Sequence, residues 1–90
     1  MRIRLSPDVI KELKTLKKKD VILFQRIEKQ LELFKQNPTH PSLRSHKLTG
    51  SLKHMWSISI SKSIRMVYVL LPKDETYFVD IGTHDEVYKK

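Results

Sequence analysis

The hydrophobic periodicity of this 90-residue chain changes partway along, from that of a helix to that of a β-strand. Between residues 7 and 36, apolar side chains recur every three or four positions, which predicts two amphipathic helices. From residue 53 onward apolar and polar side chains alternate, which is typical of half-buried strands. Helical stripes must therefore be buried against a sheet. This favours an α+β fold with residues 1–90 as one domain.

Residues suited to helix termini mark the predicted helix ends. Ser6 precedes Pro7 and Asp8, which suits an N-cap and a first helical turn. Asp20 can cap a second helix. Asn37, which is followed by proline, ends that helix because proline disfavours a helical residue before it. The two stripes then imply an antiparallel helical hairpin with one shared buried side.

The remaining segments predict strands. Met1–Leu5 alternates apolar and basic residues and predicts a short N-terminal strand. After the hairpin we expect three antiparallel strands, which begin at Lys53, Ile64 and Thr76, and a tail of one helical turn over His84–Lys90. The helical hairpin would cover one face of a small sheet. The other face, which carries Lys53 and several serines, would stay open to solvent, and His54 would lie on the covered side.

Composition narrows the function classes. Eighteen Lys and Arg against ten Asp and Glu give a net charge of +8, which attracts nucleic acid, ribosomes or an acidic protein. The simpler alternative is that the lysines keep a small protein soluble. The chain has no cysteine, which excludes disulfides and thiolate metal sites. No segment approaches the roughly 20 apolar residues of a membrane span, so we expect a cytoplasmic protein without membrane contact.

Five side chains in the second half could act on RNA: His46, Lys53, Arg65, His84 and Tyr88. Scission by an internal 2′-hydroxyl needs a base for that hydroxyl, cations for the charged phosphorane and an acid for the leaving 5′-oxygen. These residue types can supply all three functions, so no metal or other cofactor is expected.

Each of these residues also has a structural alternative. His84 and Tyr88 share one face if the tail is helical, but they could equally be a surface histidine and a tyrosine docked on the sheet. Arg65 either pairs with a carboxylate, such as Asp80 or Asp85, or holds a phosphate. Lys53 could contact phosphate or simply protect a strand edge. Taken alone, His46 is an ordinary surface histidine.

Four segments of the second half carry a resemblance to a known family: His46–Lys53, Trp56–Ile60, Ile64–Tyr68 and Asp80–Tyr88. Together they resemble the RelE/ParE toxin superfamily, and most closely the RelE/StbE and YafQ-like mRNA interferases of bacterial toxin–antitoxin systems. The ending GTHDxVY combined with HKLxGxLK is fairly specific to this branch. The predicted helical hairpin and strand order also match, so the resemblance spans nearly the whole chain.

The resemblance implies an N-terminal strand and a helical hairpin packed on one face of a small curved antiparallel sheet. It implies a toxin that enters the A site of the 30S ribosomal subunit and cuts mRNA there. It also implies a monomer when free and a hetero-oligomer with a cognate antitoxin, which the charge of this chain predicts to be acidic. By position, His84 matches the catalytic histidine of the family, His46 a second histidine, and Tyr88 the terminal aromatic residue. Arg65 matches a phosphate-stabilising arginine and Lys53 a basic residue of the same strand.

One departure affects the expected chemistry. YafQ-like enzymes carry acidic and histidine residues where this chain has Ser57, Ser59 and Ser63. Those contributions are therefore missing here or replaced by Arg65 and Lys53. Two alternatives stay open: a ParE-like toxin that inhibits DNA gyrase without nuclease activity, and an inactive module that binds nucleic acid or an antitoxin.

Overall fold

The computed structural model describes residues 1–88, which form one sheet with helices on both of its faces. The strands are β1 (Arg2–Leu5), β2 (His46–Lys47), β3 (Trp56–Ser59), β4 (Ile64–Leu71) and β5 (Glu75–Thr83). The helices are α1 (Pro7–Lys19), α2 (Val21–Gln36) and α3 (His84–Tyr88), with short 3₁₀ turns at Pro41–Leu43 and Gly50–Leu52. The predicted α+β class is confirmed. Within residues 1–88, none of the helices combines the length and hydropathy required of a membrane span.

The helices begin and end where the capping residues predict. The Ser6 hydroxyl accepts a hydrogen bond from the Val9 backbone at 3.1 Å and donates one to the Val79 carbonyl at 3.2 Å. The Asp20 carboxylate accepts from the Leu23 backbone at 3.1 Å, and α2 ends before Asn37. Ser6 therefore both caps α1 and ties it to β5, at the point where a bulge shifts the pairing of β5 with β4.

The sheet has the strand order β1-β5-β4-β3-β2 and is mixed rather than purely antiparallel. β1 runs parallel to β5, whereas the other neighbours are antiparallel. The helical hairpin carries the chain from one edge of the sheet to the other, which leaves β1 beside β5. The edge strand β2 was not predicted, because two residues are too few to show a period.

The predicted strand start at Lys53 is wrong, because β3 begins at Trp56. Lys53 follows the 3₁₀ turn Gly50–Leu52, in which Gly50 has a φ of +66°. Such a φ suits glycine, so the turn breaks the alternating pattern before the strand. His54 is exposed rather than on the covered side. Both residues lie in the connection between β2 and β3.

The core beneath the helical hairpin centres on three aromatic rings. Phe34 of α2 lies with its ring centroid 5.1 Å from that of Tyr68 on β4 and 5.3 Å from that of Phe78 on β5. Tyr68 and Phe78 are also 5.3 Å apart. These edge-on and tilted arrangements are the ones that aromatic quadrupoles favour. Burial raises the pKa of the Tyr68 phenol, so it stays neutral at physiological pH.

The second face of the sheet is partly covered rather than fully open to solvent, so the prediction of an open face is wrong. A smaller apolar cluster forms there around Leu48, Val67 and Val87. Val67 comes from β4 and Val87 from α3, so the C-terminal helix packs directly on the sheet. Because strand side chains alternate, this face also carries Ser57 and Arg65. The candidate site therefore lies beside α3, on the side opposite the helical hairpin.

Two isoleucines of α2 allow a matched test of the core. Ile27 is fully buried, whereas Ile22 is 72% exposed. We expect Ile27→Val to lower the free energy of unfolding by about 0.5–1.5 kcal/mol, and Ile22→Val to change it by less than about 0.5 kcal/mol. Urea denaturation followed by circular dichroism measures both values. Equal losses in the two variants would contradict the packing described here.

Candidate active site

An open groove of about 550 Å³ lies on the second face, between β2, β4 and α3. Leu48 and Leu52 supply its apolar wall, and its polar side chains are His46, Lys47, Thr49, Arg65, His84 and Tyr88. Four of the five predicted site residues therefore meet in one place. Lys53 is not among the residues that line the groove.

Two hydrogen bonds fix the start of α3, which positions His84. The Thr83 backbone donates to the Glu86 carboxylate at 2.8 Å, and the Glu86 backbone donates to the Thr83 hydroxyl at 3.2 Å. This reciprocal pair is a capping box. Gly82 is needed next to it, because a Cβ there would lie 3.0 Å from a Glu86 carboxylate oxygen and 3.1 Å from the Glu86 Cβ. The sequence GTHDE thus encodes a sharp strand-to-helix turn.

His84 and Tyr88 lie on one face of α3, as their spacing predicts. Their ring centroids are 4.0 Å apart and the planes meet at 85°. The His84 side chain is 68% exposed, and its Nδ1 lies 3.8 Å from an Asp85 carboxylate oxygen. An exposed ion pair of that length contributes little to stability. The imidazole is therefore accessible to a ligand, with the Tyr88 ring against it.

Arg65 is held in place by acceptors from two other segments. Its Nε donates to the Ser57 hydroxyl at 2.9 Å, and one Nη2 hydrogen bond reaches the Arg44 carbonyl at 2.7 Å. A longer bond joins Nη2 to the Ser57 carbonyl at 3.4 Å. These acceptors are uncharged, so the hydrogen bonds described for Arg65 favour the phosphate-binding alternative over the carboxylate pair. Within residues 1–88, Nη1 makes no hydrogen bond.

Ser57 connects the guanidinium to the C-terminal helix. Its hydroxyl lies 2.6 Å from the Tyr88 hydroxyl while it accepts the Arg65 Nε hydrogen bond. Ser57 is completely buried, so this hydroxyl has no access to water. It pairs with His46 across β2 and β3, which places that histidine at the same end of the groove. One serine therefore organises three of the predicted residues.

Sequence reasoning missed the contributions of Lys47, Ser57 and Arg44. Lys47 adds a cation to the groove, but a lysine next to a histidine gives no signal of its own. In the sequence, Ser57 is distinguished only as one of the positions at which YafQ-like enzymes carry an acidic residue or a histidine. Its alternation with Ile58 is ordinary for a strand, and its hydroxyl contacts depend on β4 and α3. Arg44 contributes its backbone carbonyl, which side-chain patterns cannot predict.

The groove can supply proton transfer and charge stabilisation but little enclosure. The imidazoles of His46 and His84 can donate or accept a proton. Arg65 and Lys47 offer cations for a phosphate. Across residues 1–88, the structure places no group of three or more histidine and acidic side chains where it could hold a metal ion. The shape fits a strand laid across the surface better than an enclosed small molecule.

Residues 1–89 match the sequence model of a family described as the bacterial toxin of type II toxin–antitoxin systems, YafQ. The chain is 33% identical over 89 residues to RelE4, a candidate toxin of Methanocaldococcus jannaschii. The aligned region covers 98% of this chain and 90% of RelE4. A YoeB/ParE toxin from Agrobacterium tumefaciens superimposes with a TM-score of 0.80 at 16% identity, covering 93% and 99% of the two chains. A heterotetrameric YoeB–YefM toxin–antitoxin complex from Staphylococcus aureus gives a TM-score of 0.77 at 20% identity, covering 93% and 97%.

The buried Ser57 hydroxyl can be tested without an activity assay. Ser57→Ala leaves the Tyr88 hydroxyl and the Arg65 Nε without their shared partner. We expect the free energy of unfolding to fall by about 1–3 kcal/mol. Ser63→Ala removes an exposed hydroxyl from the turn after β3 and should change it by less than about 0.5 kcal/mol. Urea denaturation measures the free energy of unfolding of both variants. Equal losses in Ser57→Ala and Ser63→Ala would contradict the hydrogen-bond network of Ser57.

Proposed function

Because the chain belongs to the YafQ toxin family of type II toxin–antitoxin systems, we propose that it is an endoribonuclease that cuts mRNA in the ribosomal A site. The observation that carries this proposal is the convergence of His46, Arg65, His84 and Tyr88 on one groove. Such a toxin acts in the cytoplasm, where its substrate is translated. A gyrase inhibitor has no need for these four groups to converge, so the convergence favours RNA cleavage over that alternative.

The reaction is an internal transfer at phosphorus. The 2′-oxygen of the substrate attacks the adjacent phosphorus, and the bond from phosphorus to the 5′-oxygen breaks. A base takes the 2′-hydroxyl proton, and an acid gives a proton to the departing 5′-oxygen. The products are a 2′,3′-cyclic phosphate and a 5′-hydroxyl. His84 is the leading candidate for one proton transfer, and His46, which lines the same groove from β2, for the other.

Arg65 is the leading candidate to stabilise the phosphorane. Ser57 and the Arg44 carbonyl hold the guanidinium through Nε and Nη2, and Nη1 makes no hydrogen bond within residues 1–88, so it can bind a phosphate oxygen. A guanidinium fixed before the substrate arrives need not reorganise in the transition state. Lys47 adds positive charge to the same groove, and a contribution of Lys53 from the adjoining connection stays a prediction.

Tyr88 would combine two roles. Its hydroxyl bonds to Ser57 and so anchors α3 on the sheet. Its half-buried ring supports the His84 imidazole and leaves an aromatic surface against which an unpaired base can stack.

Dependence on the ribosome follows from the open shape of the groove. In-line attack requires the 2′-oxygen, the phosphorus and the 5′-oxygen to be aligned, and orientation of this kind lowers a barrier substantially. The exposed groove has few walls to impose that alignment on a flexible strand. An mRNA already held in the A site arrives with its backbone constrained, so the toxin has only to supply the acid, the base and the cations.

A protein antitoxin is the second proposed partner. The structurally similar YoeB is assembled with YefM in a toxin–antitoxin complex. The net charge of +8 on this chain favours an acidic antitoxin, because complementary charge speeds association and suppresses wrong partners. The toxin would be monomeric when free and hetero-oligomeric when silenced.

The proposed role of His84 is tested by comparing His84→Ala with His54→Ala. Both histidines are exposed, but His54 lies outside the lining of the groove. We expect His84→Ala to slow mRNA cleavage on programmed ribosomes by about 10²–10⁴-fold, the usual contribution of a general acid or base. His54→Ala should cleave like the wild type.

Thermal unfolding of the two histidine variants provides the folding control, and we expect both to keep the wild-type transition. Cleavage by folded His84→Ala at the wild-type rate would remove His84 from the mechanism. An equal loss of cleavage in His54→Ala would show that the groove is not the catalytic site.

A further inference from the structure

A second groove, of about 640 Å³, carries four cations. It lies next to the groove that is lined by His46, Arg65 and His84, which we call the catalytic groove because of its proposed function. Arg26 and Lys29 come from α2, Arg44 follows the first 3₁₀ turn, and Lys62 belongs to the turn between β3 and β4. We call this second groove the basic groove. Its cations come from three separate parts of the chain, so their convergence is a product of the fold rather than of a run of lysines.

The positive charge of the basic groove is not neutralised within residues 1–88. Its lining contains no Asp or Glu. None of the four cations belongs to an ion pair that the described residues form, whereas Arg4 and Lys35 elsewhere do pair with carboxylates. Four of the eighteen Lys and Arg residues thus line one depression that contains no acidic side chain. Such an arrangement attracts a polyanion.

Hydrogen bonds hold the floor of the basic groove in shape. The Gln30 amide donates to the Ser59 carbonyl at 2.9 Å and to the Ser42 carbonyl at 3.4 Å. One side chain of α2 therefore ties the helix to β3 and to the first 3₁₀ turn. The Ser59 hydroxyl donates to the Ser61 carbonyl at 3.1 Å, which shapes the turn that carries Lys62. The groove is consequently formed before any ligand binds.

The basic groove and the catalytic groove meet at Arg44. This residue has left-handed backbone angles, with φ of 46° and ψ of 52°, which are uncommon for a residue other than glycine. Its carbonyl accepts the hydrogen bond from Arg65, and its side chain lines the basic groove. Ser59 of the basic groove is also the pairing partner of Arg65 across β3 and β4. A strand bound at Arg65 can therefore continue into the basic groove.

The lining chemistry favours a phosphodiester backbone over a protein. Apart from the cations, the basic groove presents serine hydroxyls, Gln30 and one aliphatic side chain, Ile60, which is itself buried. Protein interfaces depend on aromatic and aliphatic anchors in desolvated pockets, and this groove has none. It also has no aromatic ring for base stacking. Binding there would depend on phosphates and not on base identity.

We propose that the basic groove binds the sugar–phosphate backbone of RNA and extends the catalytic groove along the same strand. This inference rests on the proposed RNA-cleaving function, which it deepens. The backbone could belong to the mRNA that is cut or to ribosomal RNA beside it. The chemistry of recognition is the same in both cases, and separate binding measurements distinguish the two sources.

The test compares Lys29→Gln/Lys62→Gln with Lys14→Gln/Lys18→Gln. Each double variant removes two exposed lysines and so changes the net charge equally, but Lys14 and Lys18 belong to α1 and do not line either groove. The probe is a short single-stranded RNA with 2′-O-methyl groups, which cannot be cleaved by internal attack. Fluorescence anisotropy at several salt concentrations gives the slope of log Kd against log salt.

On single strands each phosphate contact contributes about 0.7 to that slope. We expect the variant of the basic groove to lose about 1.4 from the slope and the α1 variant to lose much less. The same pair is then measured on empty ribosomes. A loss with the oligonucleotide identifies the bound strand as the ligand, and a loss with ribosomes alone identifies ribosomal RNA. Either result supports the proposal.

Equal slopes for the two variants on both probes would overturn the proposal. His84→Ala serves as the reference that separates this inference from the proposed function. It should keep the full salt slope while losing cleavage. A wild-type protein that binds with the expected slope but does not cut mRNA would refute the nuclease function and leave RNA binding by the basic groove intact.

Discussion

The packing of Phe34 against Tyr68 and Phe78 fixes α2 on the two long central strands. The Tyr68 side chain therefore lies on the face of the sheet that the helical hairpin covers. Because side chains alternate along a strand, Val67 and Arg65 must then project from the opposite face. The position of the candidate active site therefore follows from packing on the far side of the sheet. The helical hairpin supplies the rigid support, and the second face is left for chemistry.

On that second face, one buried hydroxyl does most of the positioning. Ser57 accepts from Arg65 and shares a short hydrogen bond with Tyr88, so it links the cation to the helix that carries His84. The capping box at Thr83 fixes the start of the same helix. The capping box therefore positions the proposed acid–base group, His84, and Ser57 positions the proposed phosphate-binding group, Arg65. Ser57 links the two through its hydrogen bond with Tyr88. Arg44 accepts a hydrogen bond from Arg65 and also lines the basic groove, so the cations of that groove extend the positive surface beyond Arg65.

The sequence predicted most of the fold because its signals are local. Capping at Ser6 and Asp20, the apolar stripes and the turn before Glu75 all act within a few residues. What it could not predict depends on long-range pairing. The parallel pairing of β1 with β5 joins residues more than seventy positions apart. The apolar cluster beneath α3 forms only when that helix packs on the sheet. For the site, residue type and resemblance suggested four lining residues, but the roles of Ser57 and the Arg44 carbonyl required the folded arrangement.

Mapping of RNA 5′ ends in a purified translation system, with and without ribosomes, tests whether this groove cuts mRNA by internal attack on the ribosome. We expect new ends that require ribosomes, fall in register with codons and carry 5′-hydroxyls, since the 5′-oxygen leaves with a proton. No new ends from a protein that still arrests growth, or ends that carry 5′-phosphates, would contradict it.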